Sequence, residues 1–519
     1  MTLIVVHYHF RPGGIRRVIE LATPAVAAAL QARKVVLASG EPADARWEQG
    51  LRQSLAPREF AWFIEPSFHY LSAQPSMPSD LATAVHQGCE RLLDGYGPGE
   101  AVVWAHNLSV GRNPLLARAL ARTCQTRGLA FVSHHHDWWF EQRWARWPEM
   151  QRAGVRTLRA AAEAVFAVGT SVRHAAINGV DARLLSGHLG RGAGWLPNPA
   201  SLAPAPPLAR VQTARAWLAR TTGQRGPVWV LPCRLLRRKN VAEALLLTRW
   251  LRPEAVLVTT GDVSSTDEAA YAQRLGEAAA RAGWPLRLSI LAGDERGKPS
   301  VPDLLAASEC VLLTSILEGF GLPFLEAAAA GRPLIARRLP NIAPDLARFG
   351  FRFPQAYDEI HVPTGLFDLR AERERQTRAF RAWKRQLPKV CQRWLGEPML
   401  LAAGGELATI PFSRLTLTAQ LEVLGQPAET SWAACRPSNR FLDRWREHAA
   451  RQALEASPWP RRAESWLGAP AYARRFLHLL RGPPAGPGDG ERAVALQQAF
   501  LAERLDTVHL FPLLWNGDS

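Results

Sequence analysis

The segment Glu318-Gly-Phe-Gly-Leu-Pro-Phe-Leu-Glu326 constrains the fold more than any other part of the chain. It follows the apolar run Cys310-Val-Leu-Leu-Thr-Ser315 and leads into Ala327-Ala-Ala-Ala-Gly331, which predicts a strand, a tight glycine turn and a helix. A helix that starts at such a turn leaves backbone N–H groups unpaired at its positive end. Glycines at 319 and 321 let an anion such as phosphate come close to them. One carboxylate precedes the turn and a second lies inside the helix, and both repel phosphate unless each has another task. Two acceptor oxygens side by side suit a pair of vicinal hydroxyls.

A second segment of the same build lies about eighty residues earlier, Val228-Trp-Val-Leu-Pro-Cys-Arg234-Leu-Leu-Arg-Arg-Lys239-Asn240. An apolar strand again ends in a charged loop, and a helix is expected over residues 241–251. Arg234 and Lys239 thereby fall at the C-terminal end of a parallel strand, where open α/β sheets bind ligands. The chain meets its need for positive charge almost wholly with arginine, its lysines being Lys34, Lys239, Lys298, Lys384 and Lys389. A compact ammonium at 239 is therefore a specific choice, because arginine and lysine meet phosphate differently.

Together these segments resemble the retaining nucleotide-sugar glycosyltransferases of the GT-B fold, the large family four. That family carries two Glu residues with seven residues between them, Gly-Phe-Gly among the seven, preceded by an Arg and a Lys. The pattern is met here at Glu318, Gly319, Phe320, Gly321, Glu326, Arg234 and Lys239, and the resemblance extends over most of residues 1–425. It implies that Arg234 and Lys239 bind the donor diphosphate, Glu318 holds hydroxyls of the transferred sugar and Glu326 holds the ribose. It also puts Gly261 and Leu322 on the donor side. The implied reaction moves a sugar, with retention, from a nucleotide-diphosphate sugar to a hydroxyl of a saccharide or lipid-linked acceptor in cell-surface glycan synthesis. No cofactor and no metal are implied. Two other readings stay open: a nucleotide-sugar epimerase of the same fold, and an inactive binding subunit that assists a partner.

The N-terminus agrees with this reading. Leu3-Ile-Val-Val-His-Tyr-His-Phe10 is expected as a strand, followed by a turn through Gly13 and Gly14 and an apolar-striped helix. A glycine pair after a first strand is common in α/β turns; the resemblance turns it toward the donor phosphates. Three histidines, His134 to His136, end another expected strand, Leu129-Ala-Phe-Val-Ser133. Neighbouring residues on a strand point to opposite faces, so the three cannot share one ion. The resemblance assigns His136 to the donor sugar, with His135 as the other choice. His106, after Ala101-Val-Val-Trp-Ala105, is expected either on the acceptor side or simply packed. Phe140, Trp144 and Trp147 fall at helical one-face spacing. That stripe suits a core, while the interleaved Arg143 and Arg146 suit a membrane surface or stacked sugars.

With 519 residues, 47% of them hydrophobic, the chain can bury two cores. The predicted fold class is α/β: two Rossmann-like domains, 1–200 (acceptor side) and 209–425 (donor side), with parallel sheets facing a central cleft. A helical extension follows over 427–519. Its loop 481–490 is expected to be flexible, and residues 508–515 to dock on the body or a partner. In the second domain strands are expected at 228–231, 255–260, 286–291, 311–314 and 333–336. The formal charge of +17 favours an anionic partner, and the candidates are the diphosphate of a nucleotide sugar, an anionic membrane surface, an acidic polysaccharide and nucleic acid. No nucleic-acid module is present. The six cysteines lack a paired spacing, and no stretch reads as a signal peptide or a membrane span, so a cytoplasmic protein is expected, with the inner membrane face as a peripheral site.

Overall fold

Residues 2–6 and 34–39 are apolar runs with turn residues on both sides, and in the structure they lie side by side as parallel strands β1 (Thr2–Val6) and β2 (Lys34–Ser39). The computed structural model describes residues 1–74, 78–141, 144–202, 204–263, 266–293, 296–403, 407–486 and 490–515. Arg143 and residues 487–489 of the expected loop lie outside them. Two compact units are formed, one from residues 1–201, 386–394 and 461–505, the other from 202–385, 395–460 and 506–519.

The first unit holds β1 and β2 with β3 (Glu59–Ile64), β4 (Ala101–His106), β5 (Ala130–His135), β6 (Val172–Ala176) and β7 (Ala193–Trp195). They form one parallel sheet in the order β3-β2-β1-β4-β5-β6-β7. Alternate side chains enter two cores, one on each face: Leu3, Val5, Val102 and Trp104 on one, Ile4, Val6, Val103 and Ala105 on the other. The first of these cores is covered by the helix Gly14–Ala29 and by a helix from far along the chain, Ala469–Arg481, through Tyr472, Ala473, Phe476 and Leu479. The second unit holds β8 (Val228–Leu231), β9 (Val256–Thr259), β10 (Leu286–Arg287), β11 (Cys310–Leu313), β12 (Leu334–Arg337) and β13 (Gln355–Tyr357), parallel in the order β10-β9-β8-β11-β12-β13.

Both sheets share one logic. The strand order reverses between β1 and β4 in one and between β8 and β11 in the other, so each has a topological switch point at which ligands gather beyond the strand ends. Of residues 427–519, the stretch 461–505 packs within the first unit and the remainder within the second, where Phe511, Leu513 and Trp515 are buried.

Three expectations are corrected. Residues 288–291 leave the sheet after β10: Ser289 adopts a left-handed backbone (φ 53°), and its N–H bonds the Thr259 hydroxyl instead of a ladder partner. The first strand stops at Val6, so His7 to Phe10 belong to the loop beyond it. The aromatic stripe lies mostly in irregular chain before the short helix Arg146–Arg152, and Phe140, Trp144 and Trp147 are buried, which is the core role. Among the described residues no helix is long and apolar enough to cross a membrane. All six cysteines are free and buried.

Candidate functional site

At the switch point of the second unit the loops after β8 and β11 are tied to each other. The Thr314 hydroxyl donates to the carbonyls of Lys239 (2.9 Å) and Asn240 (3.0 Å), and the Ile316 N–H donates to the Arg238 carbonyl (2.9 Å). This tie seats the buried Lys239 ammonium on Oε1 of the buried Glu318. Ser315 Oγ donates to the same oxygen at 2.7 Å, and Arg238 Nη1 to Oε2 at 2.9 Å. Burial alone would raise the Glu318 carboxyl, but Lys239 and then Arg238 overcome it and bring the group down to about 2. Glu318 is therefore a fixed anion, suited to accept hydrogen bonds and unsuited to shuttle protons.

The turn that follows is shaped for close approach. Gly321 has a left-handed backbone (φ 76°), and a Cβ there would meet the Phe324 ring at 2.9 Å. The helix Leu322–Ala329 starts directly after it, with Leu322 half-buried and Glu326 exposed. Phe320 is buried and Gly319 half-buried. Arg234 is exposed, and it runs so near Gly261 that a Cβ on that glycine would lie 3.1 Å from Arg234 Cγ and 3.4 Å from its Cα. Arg234 thus stands beside Gly261, while the arginine on Glu318 is Arg238.

In the first unit the three consecutive histidines alternate across the sheet. His135 is buried on one face, where its Nε2 meets His174 Nδ1 at 2.9 Å and His174 Nε2 meets the Ala167 carbonyl at 2.8 Å. A carbonyl only accepts, so His174 carries its proton on Nε2 and His135 donates to it from Nε2. His134 and His136 are on the other side with His106, whose Nδ1 lies 3.1 Å from His136 Nε2. One ring nitrogen from each of His106, His134 and His136 lies within 4.8 Å of the others, a spacing that could hold a metal ion. Burial keeps all three neutral: it lowers His134 to about 3 against the Leu196 carbonyl bond, and His106 and His136 well below the usual range. His106 has no exposed surface. Gly13 and Gly14 are exposed at the turn that opens the first helix, where Gly13 is the residue ahead of it.

Residues 224–352 match the family described as glycosyl transferases group 1. This segment is a group 1 glycosyl transferase domain. It contains β8 to β12, Arg234, Lys239, Gly261 and the whole Glu318–Glu326 turn. Two curated proteins of Petrotoga mobilis are similar to the chain. Mannosylglucosyl-3-phosphoglycerate synthase is 23% identical over 354 residues, 66% of this chain and 66% of that protein. Mannosylglucosylglycerate synthase is 22% identical over 284 residues, 50% of this chain and 64% of that protein. The alignments thus leave about a third of each relative unmatched. Among solved structures, sucrose-phosphate synthase from Thermosynechococcus elongatus superposes with a TM-score of 0.51 at 13% identity, over 92% of this chain and 98% of that one. The fold is GT-B.

The glycosyl transferase domain also uses residues that the sequence did not single out. Arg238 sits in the run Arg237-Arg238-Lys239, and spacing alone could not choose among them. Arg337, at the end of β12, is buried and donates to both Glu243 oxygens (2.5 and 2.6 Å) and to Glu359 (2.5 Å). Its only advance signal was a charged residue closing an apolar strand.

Proposed function

We propose that this protein transfers a hexosyl unit, with retention, from a nucleotide-diphosphate sugar to a hydroxyl of an acidic saccharide. The observation that carries the reading is the buried Glu318 carboxylate, clamped by Lys239, Arg238 and Ser315 at a sheet switch point directly before a glycine turn and helix start. Glu318 accepts hydrogen bonds from hydroxyls of the transferred sugar, and Glu326 accepts them from the ribose. Arg234, Lys239 and the amides of the turn from Gly319 to Leu322 stabilise the departing diphosphate, whose charge grows toward the transition state. Gly261, by allowing Arg234 to pass closely, keeps that guanidinium in place. Phe320 anchors the turn. Gly13 and Gly14 give the phosphates a side-chain-free approach, and neutral His136 hydrogen-bonds the sugar.

The acceptor is a saccharide in this reading. The two curated relatives are named for a 3-phosphoglycerate product and a glycerate product, which favours a small acid such as glucosylglycerate or glucosyl-3-phosphoglycerate over a lipid-linked glycan of the cell surface. The charge of +17 suits such an acceptor as well as it suits an anionic membrane. Burial of Phe140, Trp144 and Trp147 removes the aromatic face that a membrane contact would use. Retention of the clamp favours transfer over an inactive subunit, and the Glu pair favours it over epimerisation.

A panel of UDP-, GDP- and ADP-linked sugars tests the donor. One nucleotide family should stabilise the protein by about 2.7 kcal/mol at a hundredfold excess over Kd. Stabilisation by none of them, in folded protein, would sink the proposal. The anomeric configuration of the product, read by NMR, tests retention; an inverted product refutes that part. Turnover should persist in EDTA, because positive side chains and the helix start take the place of a divalent ion. Loss of turnover in EDTA, restored by metal, would instead point to the His106, His134 and His136 nitrogens.

A further inference from the structure

At the switch point of the first sheet, the loops after β1, β3 and β4 bring together His9, Arg11, His69, Tyr70 and Arg112. Glu41, after β2, is the carboxylate of this group. Arg11 donates to it twice, at 2.5 and 2.7 Å, and His69 Nε2 lies 3.3 Å from it. The Arg11 hydrogen bonds hold the Glu41 carboxyl below its usual range. The charges of Arg11 and Glu41 therefore cancel.

Arg112 is different. Its guanidinium lies 5.1 Å from the centre of the Tyr70 ring, half-buried, and among the described residues it makes no ion pair and no side-chain hydrogen bond. The aromatic face removes water from one side of a group that carries five N–H donors in one plane. What remains is a flat fork that fits a carboxylate or phosphate.

The surroundings are built to hold it there. Asn113 Nδ2 donates to the carbonyls of Ser67 and His69, both at 2.9 Å, and Leu71 N–H donates to the Arg112 carbonyl at 2.8 Å. His9 accepts the Arg11 N–H at Nδ1, so in its neutral form it carries its proton on Nε2 and donates to the Tyr70 oxygen at 2.8 Å. Burial, then Arg11, lowers His9 to about 4, which keeps it neutral. The group is also continuous with the histidines of the same sheet edge. The His9 ring is 5.4 Å from His7, and His7 Nδ1 is 2.9 Å from the carbonyl of His106, which meets His136.

We propose that Arg112 binds the acidic group of the acceptor, a carboxylate or a phosphate, at this edge, with His9 and Tyr70 fixing the platform beneath it. The inference rests on the transfer reading given above, and it adds the residue that selects an anionic acceptor.

The test compares wild type, Arg112→Gln and Arg112→Lys with glucosylglycerate, glucosyl-3-phosphoglycerate and neutral glucosylglycerol. In Arg112→Gln the KM for the acid that wild type prefers should rise about ten- to a hundredfold, with donor KM unchanged and Arg112→Lys intermediate. The preference of wild type between the two acids tells carboxylate from phosphate. Equal loss for acidic and neutral acceptors, or a wild type that uses glucosylglycerol as well as the acids, overturns the proposal. Thermal stabilisation by 3-phosphoglycerate against glycerol is read separately, without turnover. Stabilisation that Arg112→Gln abolishes, in a protein that transfers nothing, would overturn the transfer reading alone. Donor-induced stabilisation reports that the variant is folded.

Discussion

Lys239→Ala is expected to lower kcat/KM for the nucleotide sugar by about 10²- to 10³-fold, the loss typical of removing one preorganised donor from developing charge. Two effects combine. The ammonium that would meet the departing diphosphate is gone, and so is the largest of the charges that keep Glu318 ionised against its burial. Glu318 is depressed to about 2 in the wild type, so its anionic form is complete at every pH at which the protein is assayed. In the variant burial persists while the main opposing charge does not, so the carboxyl moves up. Activity of the variant should then fall as pH is lowered through that raised value, an acid limb that the wild type lacks. Lys239→Arg should not restore full activity, because Arg238 already occupies the other carboxylate oxygen and a guanidinium needs more room than the buried site gives. Steady-state kinetics against pH would check this. A threefold loss or less, with an unchanged pH profile, would remove Lys239 from the donor site.

The Glu318 cluster was legible because its signals are local. The apolar run 310–315, the glycines at 319 and 321 and the following alanines each specify a neighbouring piece of backbone, and the observed β11, turn and helix follow from them. Strand β6 was missed, since Val172-Arg-His-Ala-Ala176 has no apolar run and is held by pairing with β5 and β7. Spacing of Phe140, Trp144 and Trp147 suggested one helix, yet Phe140 and Trp144 are buried in irregular chain and Trp147 alone lies in the short helix Arg146–Arg152. Trp138 beside them donates to Asp181, which also receives Arg504 from the far end of the sequence. The same limit hid the docking of the helix Ala469–Arg481, which was expected as helical but whose apolar face packs on the sheet built within residues 2–195. Contacts between remote segments leave no period in either one. Arg238 illustrates the finer version: its neighbours in sequence are also basic, and only the Thr314 and Ile316 ties decide which of them reaches Glu318.

Arg337→Met is expected to destabilise the second unit by about 3–5 kcal/mol, the cost of leaving a buried charge without its partner. Glu243 has no exposed surface, and Arg337 holds both of its oxygens, with Tyr357 donating to one of them at 2.5 Å. Burial works against the Arg337 charge, but Glu243 and Glu359 hold its pKa above the usual arginine value. The guanidinium is therefore a permanent cation, and its removal strands the carboxylates. The consequence reaches Lys239 and Glu318. Glu243 also accepts from Asn240, the left-handed residue (φ 49°) that follows Lys239 and opens the helix Val241–Leu251. An unpaired Glu243 must take up a proton or seek water, and either change loosens the turn that presents Lys239. Chemical denaturation should show a lowered midpoint, and the double variant Arg337→Met with Glu243→Gln should recover part of the loss, since no charge is then stranded. Donor KM should rise in the single variant and partly recover in the double. Equal stability of single variant and wild type would show that Glu243 is satisfied without Arg337. A double variant no better than the sum of its parts would show that the pair does not act through charge.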